Sequence, residues 1–100
     1  MAQLKSQTLN DDAQTFTLDV DAASVGTVVM DFTGTITVTW TILAPGGSIS
    51  IPLRKADDST AAAYTADDYF QVLGPCRVVG TSSATSGGTC AIEARTGNIN

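Results

Sequence analysis

The sequence predicts an all-β protein, an antiparallel β-sandwich or jelly roll of about seven or eight strands, and three observations carry the prediction. Apolar and polar residues alternate with a period of two, most plainly in Gly34-Thr35-Ile36-Thr37-Val38-Thr39-Trp40-Thr41-Ile42-Leu43. The composition is that of a sheet protein: 43% hydrophobic, only 15% charged, and rich in Thr, Ser, Ala and Gly. Turn-forming clusters recur every ~8–12 residues, and no internal repeat is visible. One hundred residues make one domain, long enough to bury roughly two-thirds of the surface its unfolded chain exposes.

Residues 1–12 are polar, lack a period and end in Asn10-Asp11-Asp12, which predicts a flexible N-terminal arm. Residues 13–100 then form a single β-sandwich domain. Arms of this kind often contact neighbouring subunits, with Leu4 as a candidate contact, and removing residues 1–12 is expected to leave the sandwich folded. Ala13 to Val20 alternates, placing Phe16, Leu18 and Val20 on one side and Thr15, Thr17 and Asp19 on the other. Asp21-Ala22-Ala23-Ser24 is a short connection. Val25 to Phe32 follows as a strand with Val28, Met30 and Phe32 inward, and Thr33-Gly34 marks a tight corner or a bulge.

In the strand that begins at Gly34, Ile36, Val38, Trp40 and Ile42 make an apolar wall, and Thr35, Thr37, Thr39 and Thr41 a hydroxyl-bearing one. Ala44-Pro45-Gly46-Gly47 supplies a turn, and Ser48-Ile49-Ser50-Ile51-Pro52-Leu53 resumes the alternation. A symmetric hairpin would set Ile42 opposite Ile49, Trp40 opposite Ile51 and Val38 opposite Leu53. Pro52 cannot donate to a ladder, so this second strand is expected at an edge or in a bulge.

Residues 54–68 are charged at their ends and small in the middle, without an apolar stripe at three and four. They predict a long connection with a brief strand near Tyr64. Tyr69-Phe70-Gln71-Val72-Leu73 is a strand stopped by Gly74-Pro75. Residues 76–84 and 88–95 flank Thr85-Ser86-Gly87 and read as a final hairpin. In that register Cys76 and Cys90 stand some six residues apart along the sheet. This is roughly 20 Å, against the roughly 7 Å limit for bridging Cα atoms, so no disulfide is expected and both thiols read as small buried hydrophobes. The expected core is Phe16, Leu18, Met30, Phe32, Ile36, Val38, Trp40, Ile42, Ile49, Ile51, Val78 and Ile92.

The chemistry points away from catalysis. Five basic and ten acidic residues give a net charge of −5, which opposes nucleic acid and anionic lipid. There is no histidine, the usual general base and metal ligand. The glycine pairs Gly46-Gly47 and Gly87-Gly88 fall in turns rather than in a phosphate loop. Asp11-Asp12, Asp57-Asp58 and Asp67-Asp68 are adjacent pairs, whereas glycosidase carboxylates face each other about 5–9.5 Å apart. The expectation is therefore no enzyme, no cofactor and no metal. No apolar run approaches the roughly 18–20 residues of a membrane span, and residues 1–6 lack the regions of a signal peptide. Thr35, Thr37 and Thr39, together with Tyr64 and Tyr69, are candidate contacts; two loop tyrosines could also stack sugar rings.

The segment Asp31-Phe32-Thr33-Gly34-Thr35-Ile36-Thr37-Val38 is followed by Gly46-Gly47, Ile51-Pro52-Leu53, Gly74-Pro75-Cys76-Arg77-Val78-Val79 and Ser86-Gly87-Gly88-Thr89. In this order and rhythm, over roughly residues 28–95, the chain resembles small β-sandwich virion proteins of tailed bacteriophages. It departs from them in having no tryptophan or long aromatic segment after Gly46-Gly47, and the likeness lies in the scaffold, so no site residues are carried over. The resemblance implies a capsid decoration or cement protein, or a neck or head-fibre component, made in the host cytoplasm and residing in the virion. Its partners would be the major capsid protein or other virion proteins, and it would assemble as a homo-oligomer, for instance a trimer. A carbohydrate- or receptor-binding module of a neck, tail or head fibre is the alternative.

Overall fold

The computed structural model describes residues 3–44, 50–52 and 63–98. These residues form β1 (Gln3–Leu9), β2 (Thr15–Val20), β3 (Ser24–Leu43), β4 (Ser50–Pro52), β5 (Ala63–Tyr64), β6 (Asp68–Leu73) and β7 (Cys76–Asn98), all in one antiparallel sheet. No helix occurs among the described residues.

Two strand lengths decide the architecture. At about 3.3 Å per residue, β3 and β7 would each run well beyond ~60 Å if straight, yet the longest dimension of the molecule is 40 Å. Both must turn back, and they do so together. Ladder pairing between them is displaced at Thr33 to Thr37, where Thr35 stands opposite both Ser86 and Gly87. Gly34 and Gly87 each adopt φ +73°, a left-handed conformation that glycine takes without a Cβ penalty. The backbones also crowd there: a Cβ on Gly88 would lie 2.3 Å from the carbonyl oxygen of Thr35.

The bend folds one sheet into a half-barrel with two facing layers. In the first, the strands lie in the order β1, β7 (residues 88–98), β3 (24–33), β6; in the second, β2, β7 (76–83), β3 (35–43), with β4 and β5 on the far edge. Even-numbered residues of β2, β3 and β7 point inward in both layers. They bury Phe16, Leu18, Val20, Val28, Met30, Ile36, Val38, Trp40, Val78, Cys90, Ile92 and Ala94 in one core. Phe32 and Ile42 pack against it half-buried. Trp40 ties the layers together: its ring stands 4.9 Å from that of Phe70, and its Nε1 donates to Met30 Sδ at 3.3 Å.

Four expectations change. Residues 3–9 are not an arm without structure of their own: β1 pairs with β7 from Gln3↔Thr96 to Leu9↔Cys90, and Leu9 is fully buried. The final hairpin does not exist, because residues 76–98 form one strand and Thr85-Ser86-Gly87 is its bend. A glycine-bearing break between two alternating runs serves a corner within a strand as well as a reversal between strands. In the first hairpin Ile42 faces Ile51, Thr41 faces Pro52 and Leu43 faces Ser50. That is a two-residue slip, which the pattern permits because only odd slips turn the apolar set outward. Val38 pairs with Tyr64 of β5, not with Leu53. Ile49 lies outside the described residues; Ile51 is placed in β4, but its side chain lies outside them.

Side chains of β1 also finish the open side of the half-barrel. Lys5 Nζ donates to the carbonyl of Thr17, and Gln7 Nε2 donates to that of Thr15 at 3.0 Å. The carbonyls of the β2 edge, which would otherwise need water, are met in this way. The Lys5 ammonium stands 5.0 Å above the Phe16 ring, so its stem covers core while its charge stays near the rim. Buried Ser82 pins the turn between β1 and β2: its hydroxyl donates to the carbonyl of Asp11, and it accepts from the backbone N–H of Gln14 at 3.1 Å.

Candidate functional site

Each layer presents an outer face, and the two differ in chemistry. On the second layer, Thr15, Thr81 and Thr39 stand in register across β2, β7 and β3, with Thr17, Val79 and Thr41 in the next row and Thr37 beside Ser83. The hydroxyl stripe read along one strand is therefore a two-dimensional array. Thr35 is exposed, and Thr37 and Thr39 are half-buried. Arg77 and Asp19 form an ion pair at 2.6 Å at one end of this face. Both are largely exposed, so the pair contributes little to stability.

The outer face of the first layer is less polar than the wetted side of an antiparallel sheet ordinarily is. Four large apolar side chains are exposed on it: Leu4 at 68%, Val29 at 49%, Tyr69 at 64% and Leu73 at 67%. Register places them around Glu93 and Arg95, with Asp31 exposed in the row beyond Val29. Leu4, Arg95, Thr27 and Gln71 make one row across β1, β7, β3 and β6; Ser6, Glu93, Val29 and Tyr69 make the next. Gln71 Nε2 donates to Thr27 Oγ1 at 3.2 Å, holding the β6 side of the first row. An open groove of about 310 Å³ runs between Leu4, Thr27, Val29, Glu93, Ala94 and Arg95.

The candidate contacts thus separate. Leu4 and Tyr69 lie on the first face, and Thr35, Thr37 and Thr39 on the second. Tyr64 lies on neither. It is only 4% exposed and stacks on Phe70 at 6.1 Å, so it is a core residue and not a contact. The β5 pairing to Val38 turns its ring inward. Val29, Leu73, Glu93 and Arg95 were not among the candidates. Val29 lies on an ordinary strand in the sequence, and the rows it joins exist only once β6 and β7 flank β3.

Polar groups elsewhere are engaged in structure. Asp67 Oδ1 accepts from the backbone N–H of Phe32 at 2.7 Å, Asp68 Oδ1 from that of Tyr69 at 2.8 Å, and Asp11 Oδ1 from that of Asp12 at 2.8 Å. Asp57 and Asp58 lie outside the described residues. Among the described residues, no three His, Cys, Asp or Glu side chains are grouped to hold a metal ion. Cys76 and Cys90 are buried free thiols on the same strand.

Burial, with smaller contributions from the Asp31 and Asp67 carboxylates, pushes the Cys90 thiol from the ordinary 9.0 to about 11. Burial also raises Cys76 and Tyr64. A group whose folded pKa is raised keeps its proton where the unfolded chain has lost it. The contribution of this thiol to stability is therefore whole below about pH 9 and is lost as pH rises towards about 11. Denaturation midpoints measured from about pH 8 to about pH 11 should decline, and Cys90→Ala should flatten that decline. An unchanged slope in the variant would show that the thiol does not carry the effect.

No protein-family model matches this chain, and no curated protein matches it. Fold and surface define the class: an all-β antiparallel protein whose distinctive surface is an apolar outer sheet face around Glu93 and Arg95.

Proposed function

We propose that this chain is a non-enzymatic structural protein of a bacteriophage virion, a capsid decoration or cement protein that seats on the shell and stabilises it by burying surface between subunits. The observation that carries a contact role is the outer face of the first layer, where Leu4, Val29, Tyr69 and Leu73 are exposed together. Val29 and Tyr69 are cross-strand neighbours with Leu4 and Leu73 on the same face, and exposed apolar side chains gathered on one face mark an interaction site. The virion setting rests on the sequence resemblance over residues 28–95. A sandwich with two chemically distinct outer faces suits a bridging part, because cementing requires contacts in more than one direction.

The carbohydrate-binding alternative is weaker, since Tyr64 is buried and Tyr69 remains without it. Quantitative mass spectrometry of purified particles tests the proposal. A simple ratio to the major capsid protein is the expected result. A few copies per particle would move the chain to the neck, tail or fibre, and absence from particles would remove the virion reading.

A further inference from the structure

The contact face described above carries its own complement. Glu93 and Arg95 project from neighbouring outward positions of β7, the strand between β1 and β3 in this layer. Neither has an ion-pair partner among the described residues. Both are exposed, and opposite charges two residues apart on one strand have a particular symmetry. A two-fold axis passing between them, across the strand direction, sets each Glu93 against the other copy's Arg95. This is the self-complementarity that an isologous contact requires: residue i meets j, and j meets i.

We infer that the outer face of the first layer is the self-association surface of this protein, and that its occupant is a second copy of the same chain. The inference rests on the reading of this face as a protein-contact surface and adds the identity of the partner. Two copies stack face to face, with their β7 strands antiparallel and Leu4, Val29 and Tyr69 around the charges. The same axis lays Leu4 over the other copy's Ser6, Val29 over its Thr27 and Tyr69 over its Gln71, and the affinity comes from the apolar surface covered in this way. The charge pairs supply register, since desolvating them offsets much of their attraction while a like-charge meeting is strongly unfavourable. A contact of this symmetry closes at two copies rather than three. It leaves the threonine faces of both copies outward, so that the dimer can bridge two sites on a shell.

The test is a charge-reversal complementation read by sedimentation velocity. The wild-type chain is expected to sediment as a dimer at micromolar concentration, with Glu93→Arg and Arg95→Glu each reducing it to monomer. An equimolar mixture of the two variants should restore the dimer, because one copy then carries two positive charges and the other two negative ones in facing positions. The double variant Glu93→Arg/Arg95→Glu should self-associate again. Both positions are exposed, so circular dichroism should show unchanged folds.

A wild-type monomer over the whole concentration range would overturn the inference. So would a dimer or trimer that persists in both single variants, or two folded monomeric variants that do not recombine. If the chain is monomeric but Val29→Glu abolishes its attachment to particles, the contact-face reading stands and only the second copy is wrong. If Val29→Glu leaves both assembly state and attachment unchanged, the contact-face reading itself fails.

Discussion

Trp40→Ala is expected to cost about 3–5 kcal/mol, enough to remove much or all of the stability of a domain in the usual range of about 5–15 kcal/mol. Trp40 has no exposed surface and is the largest fully buried side chain. Its seat is built from both layers. Phe16 and Trp40 flank Gly80 in one row of the second layer, with ring centroids 6.0 Å apart, and Phe70 closes from the first layer. Gly80 makes room for the ring: a Cβ there would lie 2.9 Å from three of its carbons. Truncating the indole leaves a cavity that residues fixed by two ladders cannot fill. Urea denaturation of Trp40→Ala, Trp40→Phe and Gly80→Ala checks the argument. The phenylalanine variant should fall between wild type and alanine, because it keeps ring packing and loses only bulk and the Nε1 to Met30 Sδ contact. A Trp40→Ala midpoint close to wild type would mean that the layers are not held together here.

Deleting residues 1–12 is expected to unfold the protein rather than to spare it. The deletion removes β1, seven residues paired with β7, and uncovers Cys90, Ile92 and Ala94 from that side. Loss of Leu9 alone, fully buried, is worth about 2–5 kcal/mol on the scale of large-to-small core substitutions. The deletion also strips the Lys5 and Gln7 donors from the β2 edge and the Asp11 carbonyl from the Ser82 hydroxyl. Two unpaired edges would then face solvent, an arrangement that invites aggregation. Thermal unfolding followed by circular dichroism should show no cooperative transition in the truncated chain, or one shifted far down. A transition within a few degrees of wild type would restore the reading of residues 1–12 as an appendage.

The two predictions separate what period-two patterning can and cannot reveal. Around Trp40 the signal is complete: Ile36, Val38 and Trp40 all point inward, and all three are fully buried. In β1 it is absent, because Lys5 and Gln7 face the rim of the half-barrel and cap backbone carbonyls instead of filling the core. A strand whose inward positions are polar for this reason reads as an aperiodic arm. Only the paired partner shows otherwise.

The candidate contact surface divides in the same way. Leu4 and Tyr69 could be singled out as apolar groups in polar or loop-like surroundings. Glu93, Arg95 and Val29 could not, since a single outward charge or valine on a strand is ordinary until neighbouring strands place it in a row. Tyr64 went the other way, because a two-residue pairing with Val38 buries a ring that its charged, loop-like sequence neighbourhood would leave in water.

By itself the sequence determined that this protein is all-β and antiparallel, which residues of its alternating runs turn inward, and that Trp40 sits at the centre. Side-chain alternation is a local property, set by the pleat and by the partition of each residue between water and core. The tertiary structure alone decided that two long strands bend at Gly34 and Gly87-Gly88 to fold one sheet into two layers, that β1 closes the sheet, and which residues share an outer face. Those are properties of pairing, and pairing between residues as distant as Thr35 and Gly87 depends on ladder register and backbone approach rather than on the character of either segment.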